Sequence, residues 1–289
     1  MSYTIVTDSS CNLTAKMIDD YGLEIISLKY FAGETAFESY TKGVDPDFKA
    51  FYNMARKKEP LSTTLASPDI CEQTFEKILE KGEDLIYIGF SSGLSGTFQV
   101  AFNVLEELKE KYPERKIYCV DSLAASLGQG LLVHYAVNKK NEGATIEELF
   151  NWLNENKLNL CHWFTVDDLF YLKRGGRVSG TAAVMGTVLS IKPVMHVDNN
   201  GKLIPKAKVI GRKRAIEMLV SKMKETAINP SEQTVFISHG DCIEDAEFLA
   251  DLVKKELGVK DVFIHYIEPV IGCHSGPGTL ALFFMGTHR

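Results

Sequence analysis

The sequence predicts an α/β protein in which a mostly parallel sheet domain is followed by a second, mixed-sheet α/β domain. Over roughly the first 160 residues, short apolar runs rich in Ile, Val and Tyr alternate with longer segments of helical period. This alternation is typical of a parallel sheet covered by helices on both faces. The second half contains an Asn-Gly turn between two apolar runs, which indicates an antiparallel hairpin.

The first half contains predicted strands and helices in alternation. The strands are predicted at Tyr3–Thr7, Ile25–Leu28, Leu85–Phe90 and Ile117–Val120. The helices are predicted at Thr14–Tyr21, Pro68–Lys81, Thr97–Tyr112, Ala124–Asn141 and Thr145–Lys157. In the helix that begins at Thr97, apolar residues recur at intervals of three and four positions, which marks one face for burial.

The second half mixes hairpin and strand–helix patterns. Strands are predicted at Leu160–Val166, Ile191–Val197, Lys202–Ile204, Thr234–Ser238, Val262–Tyr266 and Thr279–Met285. Helices are predicted at Arg212–Thr226 and Ile243–Leu257, and a Gly/Pro loop at Gly272–Gly278. We expect domains at 1–160 and 161–289, and a ligand in the cleft between them, because clefts between domains are common binding sites.

Composition excludes several classes of function. The chain has 289 residues and a formal net charge of −6, whereas a general nucleic-acid binder usually has a strong basic excess. The six cysteines form no C-x-x-C motif and the histidines form no H-E-x-x-H motif, so we expect no metal site. The longest apolar run is far shorter than a membrane span, and the N-terminus lacks a signal-peptide pattern. These features favour a cytoplasmic protein without a transmembrane segment.

The segment Ser91–Thr97 is the strongest local candidate for an anion site. It follows a predicted buried strand and opens a long helix, where free backbone N–H groups attract negative charge. It is not a phosphate-binding P-loop, because no lysine follows its second glycine. A carboxylate or a single phosphate fits it better than a nucleotide. The structural alternative is that Ser95 or Thr97 simply caps the helix.

A second hydroxyl-rich segment, Ser62–Pro68, precedes another predicted helix. Ser67 followed by Pro68 is typical of a helix start, so Ser67 is expected to be structural. Thr63 and Thr64 are not needed for that cap. Their hydroxyls are therefore candidate ligand donors.

Two histidines in small-residue contexts raise an enzymatic alternative. His239 and His274 both occur near predicted strands, and histidine can act as a base near neutral pH. A serine hydrolase acting on acyl esters would pair Ser95 with one of them and with an acid such as Asp241. The G-x-S-x-G elbow of many hydrolases is absent, because Thr97 occupies its last position.

Basic residues cluster in two places in this acidic chain. One is the turn Lys173–Arg177, and the other is the stretch from Lys202 to Arg214, which contains no acidic residue. Such clusters indicate contact with an anionic partner, although a solvated charged face is the usual alternative.

Taken together, an ordered set of motifs over nearly the whole chain resembles the DegV family, which includes FakB-like fatty-acid-binding subunits of bacterial fatty acid kinase. The motifs are Thr7–Leu13, Thr63–Pro68, Ser91–Thr97, Asp121-Ser122 with Gly128-Gln-Gly130, Leu172–Arg177, Ile191–Val194 and Gly276-Pro-Gly278. The resemblance implies a two-domain fold with a fatty acid in a buried tunnel between the domains. It also implies a carrier that has no catalytic residues and no cofactor.

The resemblance further implies the roles of individual residues and a partner. It places the acyl carboxylate near Thr63, Thr64, Ser95 and His274, with the backbone N–H of Gly96 as a further donor. A separate dihydroxyacetone-kinase-like subunit is expected to phosphorylate the carboxylate to an acyl phosphate for phospholipid synthesis. For docking of that subunit, the basic clusters offer Arg174, Arg177 and Lys206.

Overall fold

The computed structural model describes residues 2–178 and 190–289. Its strands are β1 (Tyr3–Asp8), β2 (Glu24–Ile26), β3 (Lys29–Ala32), β4 (Thr35–Glu38), β5 (Leu61–Thr63), β6 (Asp84–Gly89), β7 (Ile117–Asp121), β8 (Leu160–Thr165), β9 (Ile191–Val197), β10 (Leu203–Ile210), β11 (Thr234–His239), β12 (Asp261–Tyr266) and β13 (Leu280–Met285). Its helices are α1 (Ala15–Asp20), α2 (Phe48–Arg56), α3 (Pro68–Leu79), α4 (Thr97–Lys111), α5 (Leu127–Asn141), α6 (Ile146–Asn156), α7 (Leu169–Arg174), α8 (Arg212–Thr226), α9 (Ile243–Leu257) and α10 (Pro269–Ser275).

Two main sheets confirm the predicted α/β architecture. The first has the strand order β2-β1-β6-β7, and all of its strand pairs are parallel. The second has the order β10-β9-β8-β13-β11-β12, in which β11 and β12 are parallel and the other neighbours are antiparallel. The predicted hairpin joins β9 to β10 through residues 198–202, and the N–H of Gly201 donates to the carbonyl of Asp198.

Helix α5 lies between the two sheets and is buried on most sides. It contacts β6 of the parallel sheet and β8, β11 and β13 of the mixed sheet. A Cβ atom on Gly128 would lie 2.0 Å from Nε2 of His162 on β8, so only glycine allows this approach. The absence of a polar stripe on the helix follows from this sandwiched position.

A small third sheet, with the order β4-β3-β5, was not predicted. Its strands are only three or four residues long, and their composition does not alternate clearly. The sheet and α2 pack against α10. This packing brings Thr63, at the end of β5, next to the end of the chain's last helix.

The prediction of a loop over Gly272–Gly278 was wrong in its first part, because α10 continues to Ser275. The carboxylate of Glu268 accepts hydrogen bonds from the N–H groups of Val270 and Ile271, at 2.7 Å each. A Cβ on Gly272 would lie 2.5 Å from the ring of Phe51, so close packing requires glycine within this helix. Tertiary contacts thus stabilise a helix that its glycine content does not favour.

The β9–β10 turn packs on the loop that precedes α4. The Ser91 hydroxyl donates to the carbonyl of Gly201 at 2.9 Å, and a Cβ on Gly93 would lie 2.4 Å from the carbonyl oxygen of Asn200. This contact joins the hairpin of the mixed sheet to a loop at the edge of the parallel sheet. Among the described residues, no helix has both the length and the apolar character needed to cross a membrane.

Candidate functional site

A cavity of about 580 Å³ lies between the mixed sheet and the loops at the edge of the parallel sheet. The side chains from β8, β11 and β13 form one wall, and β5, the loop before α4 and α10 form the other. Its apolar lining includes Leu28, Leu61, Leu94, Phe164, Leu172, Leu203, Ile267, Val270, Ala281 and Phe283. The volume and the largely apolar lining suit a long hydrocarbon group.

Polar side chains gather where β5, α10 and the loop before α4 meet. Thr63, Thr64, Ser95 and His274, the side chains that the family resemblance assigns to the carboxylate, all line the cavity. The Thr63 hydroxyl and Nε2 of His274 are joined by a hydrogen bond of 2.9 Å, across 211 positions of the chain. Thr64 is exposed and Thr63 is half-buried, so the two threonines differ in their access to solvent.

The imidazole of His274 is held in its neutral form. Burial, with the nearby positive charges of Arg177 and Arg174, lowers its pKa to about 4. A Cβ on Gly175 would lie 2.3 Å from Nδ1 of His274, so this glycine of the basic turn makes room for the ring. At neutral pH, His274 can therefore orient a ligand by hydrogen bonding without supplying a positive charge.

Ser95 caps α4 and also faces the cavity, so the structure is compatible with either role that the sequence offered for it. Its hydroxyl accepts a hydrogen bond from the N–H of Thr97 at 3.2 Å and shares another with the Thr97 hydroxyl at 3.0 Å. It thereby satisfies an N–H of the first turn of α4, and it also lines the cavity. Gly96 is the capping residue of α4, but it is exposed and is not part of the cavity lining.

The three predicted docking residues differ in position. Arg177 lines the cavity, and its guanidinium donates from Nε to the carbonyl of Leu94 at 3.2 Å and from Nη1 to that of Gly175. Arg174 also lines the cavity but is exposed, with its guanidinium 4.9 Å from the centre of the Tyr171 ring. Lys206 is exposed on β10, away from the cavity lining.

Several polar residues of the cavity were missed by sequence reasoning. The Ser275 hydroxyl is buried, lines the cavity and has no hydrogen-bond partner among the described residues. Its place in the segment His274–Gly278 was the one signal that could have revealed it. His162, Ser126 and Ser238 also line the cavity, and no motif marked them as ligand-facing.

The geometry does not support the hydrolase alternative. The Ser95 hydroxyl is bonded to Thr97, and Nε2 of His274 is bonded to Thr63. Asp241 forms ion pairs with Lys49 and Arg56, and Nδ1 of His239 accepts from the N–H of Cys242. No Ser–His–Asp relay joins these groups in the described part of the chain.

Comparison with known proteins identifies relatives over the whole length. A family model described as an uncharacterised protein of the DegV family, COG1307, matches residues 2–287. A DegV domain-containing protein of Clostridium perfringens is 44% identical over 286 residues, which cover 98% of this chain and 97% of the relative.

Solved structures with the same fold include two proteins described as binding fatty acids. A fatty-acid-binding DegV family protein of Thermus thermophilus is 25% identical, with a TM-score of 0.89 over 99% of this chain and 100% of the other. DegV of Bacillus subtilis, described as a fatty acid binding protein, is 28% identical, with a TM-score of 0.85 over 99% and 100%.

Proposed function

The chain belongs to the DegV family, and we propose that it binds a long-chain fatty acid and presents its carboxylate to a separate kinase subunit. The observation that carries the proposal is a largely apolar cavity with Thr63, Ser95 and His274 among its polar groups. The fatty acid binding described for the structural relatives supports it.

The physical chemistry of the cavity suits such a ligand. Burial of each methylene contributes about 0.8 kcal/mol, so the hydrocarbon tail supplies most of the affinity. The carboxylate needs only a few fixed donors, which hydroxyl groups and the start of α4 offer. We propose that residues 1–160 and 161–289 form two domains that enclose this ligand between them.

The first test is the content of the purified protein. Lipid extracted from protein expressed in a bacterial host should contain a C14–C18 fatty acid in close to one-to-one ratio. Extraction followed by gas chromatography measures this ratio, and native mass spectrometry before and after extraction confirms the mass lost. Protein that carries no acid and does not bind added acid after extraction would overturn the proposal.

The second test concerns the carboxylate end of the cavity. Ser95→Ala should weaken acid binding by about 1–3 kcal/mol, because a hydrogen bond to a charged acceptor is lost. Ser92→Ala is the matched control, since Ser92 lies in the same loop but is exposed and does not line the cavity. Equal affinities for the two variants would reduce Ser95 to a helix-capping residue.

We further propose that the kinase subunit, which resembles dihydroxyacetone kinases, docks beside the exposed Arg174 and forms the acyl phosphate there. Arg174 is both exposed and part of the cavity lining, which supports an opening to solvent at this point. The carrier itself needs no catalytic residue or cofactor in this scheme. The transfer takes place in the cytoplasm, where the kinase has ATP, and feeds phospholipid synthesis.

Charge-removal variants test the docking proposal. Arg174→Ala, Arg177→Ala and Lys206→Ala should slow acyl-phosphate formation while bound acid remains normal, and higher ionic strength should weaken association of the wild type and so narrow its difference from the variants. Lys109→Ala, an exposed lysine on α4, is the control. If Arg177→Ala instead empties the protein of lipid while docking survives, then Arg177 belongs to the carboxylate site.

A further inference from the structure

A second group of polar side chains lines the cavity along the mixed sheet. Thr279, Ala281 and Phe283 line the cavity at alternate positions of the last strand region, and the Thr279 hydroxyl bonds to the carbonyl of Ser275, next to His274. Ser238 on β11 pairs with Ala281, and His162 on β8 pairs with Phe283.

The sheet register shows how far this group lies from Thr279. Two residues of an antiparallel strand span about 7 Å along its direction. Ser238, which is opposite Ala281, therefore lies about 7 Å along the strand direction from Thr279, and His162, which is opposite Phe283, lies about twice as far. Ser126, which precedes α5, joins the group because its hydroxyl lies 2.9 Å from that of Ser238. A chain whose carboxylate lay near His274 would pass this group part-way along its length.

The protons of the two serines can be assigned from their partners. The side-chain oxygen of Asn12 accepts from the N–H of Glu268, and its NH₂ group donates to the carbonyl of Ser10, which fixes the orientation of the amide. The Ser126 hydroxyl lies 2.6 Å from this oxygen, so it must donate its single proton there. The Ser238 hydroxyl therefore donates its proton to the Ser126 oxygen. The lone pairs of the Ser238 oxygen remain available to accept a hydrogen bond from a ligand in the cavity.

The backbone at Ser126 supports a built site. Its φ is +58° with ψ −147°, a conformation that is costly for a residue other than glycine. The bonds to Asn12 and Ser238 hold it in place.

His162 also offers an acceptor. Its Nε2 lies 2.8 Å from the carbonyl of Ala125, which can only accept, so the proton is on Nε2. Burial lowers the pKa of this ring well below its usual value, which keeps Nδ1 unprotonated. Since Nε2 faces Gly128, Nδ1 lies on the opposite edge of the ring, and it has no partner among the described residues.

We propose that the cavity selects an acyl chain that carries a hydroxyl group part-way along its length, whose O–H donates to the acceptor group formed by Ser126, Ser238 and His162. This inference rests on the proposed function and specifies its ligand class. A keto group at the same position has no proton to donate, so it cannot form a hydrogen bond with these acceptors. A plain hydrocarbon leaves the buried lone pairs without a partner, which costs free energy.

Competition binding to lipid-free protein tests the proposal directly. The probes are octadecanoic acid, 10-hydroxyoctadecanoic acid, 12-hydroxyoctadecanoic acid and the matching 10-oxo and 12-oxo acids, each displacing a fluorescent fatty acid. At least one hydroxy acid should bind about three- to tenfold more tightly than its oxo partner and than octadecanoic acid. Equal affinities of each hydroxy and oxo pair would overturn the proposal, whereas failure of every acid to bind would overturn the proposed function itself.

Variants assign the preference to the acceptor group. Ser238→Ala and His162→Phe should each reduce the hydroxy-over-oxo preference while octadecanoic acid still binds. Ser122→Ala is the matched control, because Ser122 is fully buried nearby but does not line the cavity. If one variant fails to fold, the other variant still tests the proposal. If a folded variant keeps the hydroxy-over-oxo preference, the substituted residue does not belong to the acceptor group.

Discussion

At the scale of single residues, the hydrogen bond between Thr63 and His274 defines the polar part of the site. Because His274 is neutral, we expect the pair to orient the carboxylate of the proposed ligand by hydrogen bonding alone. The half-buried hydroxyl of Thr63 is better shielded from water than that of Thr64, which is exposed. Shielding from water strengthens a hydrogen bond, so Thr63 is expected to contribute more to binding than its neighbour.

Thr63→Val should therefore weaken fatty-acid binding by about 1–3 kcal/mol, because the near-isosteric side chain cannot donate a hydrogen bond. Thr64→Val is the matched control and should have a smaller effect. Isothermal titration of lipid-free protein measures both. A larger loss in Thr64→Val would transfer the main donor role to Thr64.

Sequence reasoning singled out cavity-lining residues in hydroxyl-rich or histidine motifs, but not the cavity-lining residues that lie within strands. Thr63, Ser95 and His274 follow or precede regular elements in segments of small residues, so their types and positions were informative. His162 and Ser238 lie within strands. Which face of a strand meets the cavity depends on sheet pairing, and sequence alone does not give that pairing.

At the scale of elements, the contact between the β9–β10 turn and the loop before α4 connects both sheets near the cavity. Gly93→Ala would place a Cβ 2.4 Å from the backbone oxygen of Asn200, so the turn must move. We expect a loss of stability of about 1–3 kcal/mol and faster exchange of bound acid. Stopped-flow displacement measures the exchange, with Ser92→Ala as control, and an unchanged rate would show that this contact does not close the cavity.

We expect Glu268, which caps the start of α10, to make the stability of the protein depend on pH. Burial raises the pKa of Glu268 to about 7, from 4.5. A raised folded-state pKa means that the contribution of Glu268 to stability is fully present below about pH 4.5 and is lost as pH rises through about 7. Wild-type protein should therefore lose stability from this group between about pH 4.5 and about pH 7.

Glu268→Gln replaces the titrating carboxyl group with an amide, so the variant should lose less stability than wild type as the pH rises. The buried histidines His196, His239 and His274, whose pKa values are lowered to about 4, act in the opposite direction but are common to both proteins. Urea unfolding curves at about pH 4.5 and about pH 7 give the free energy of unfolding of both proteins, and the change in their difference between the two pH values isolates the effect of Glu268. Glu34→Gln, at an exposed turn, is the control, and a pH-independent difference would contradict the prediction.

Most elements with long apolar or periodic patterns were predicted well, whereas α2, α7 and the strands of the third sheet were not predicted. The strands that became β1, β6, β9 and β13 and the helices α4, α8 and α9 agree with the structure to within one residue at each end. The strands β3, β4 and β5 are too short to show a period, and α10 depends on Glu268 and on packing around Gly272. These elements need tertiary contacts that local sequence does not encode.

At the scale of the whole molecule, Arg289 joins segments that surround both sheets. Its guanidinium donates to the carbonyls of Lys157 and Leu160 before and in β8, of Leu123 after β7, and of Asp198 in the β9–β10 turn. These bonds lie apart from the cavity lining. Arg289→Ala should therefore lower stability without altering the ligand site.

A ligand in the cavity, in contrast, should raise stability, because the cavity walls come from the mixed sheet, from β5 and α10, and from loops at the edge of the parallel sheet. A ligand that binds only the folded protein stabilises it by about 2.7 kcal/mol at a free concentration one hundred times its Kd. Lipid-free protein should thus unfold at a lower temperature than the loaded form, and its midpoint should rise steadily with added octadecanoic acid. Differential scanning calorimetry measures both midpoints.

Arg289→Ala separates this ligand effect from general stability. Because Arg289 does not touch the cavity, the variant should start from a lower midpoint but show the same increment of free energy with added acid. Ser95→Ala should differ in its response to lipid, because it should show a smaller increment with added acid, in addition to the lower starting midpoint that loss of the bond to the Thr97 N–H causes. If acid raises the midpoint of Ser95→Ala as much as that of wild type, the Ser95 hydroxyl does not hold the carboxylate and serves only to cap α4.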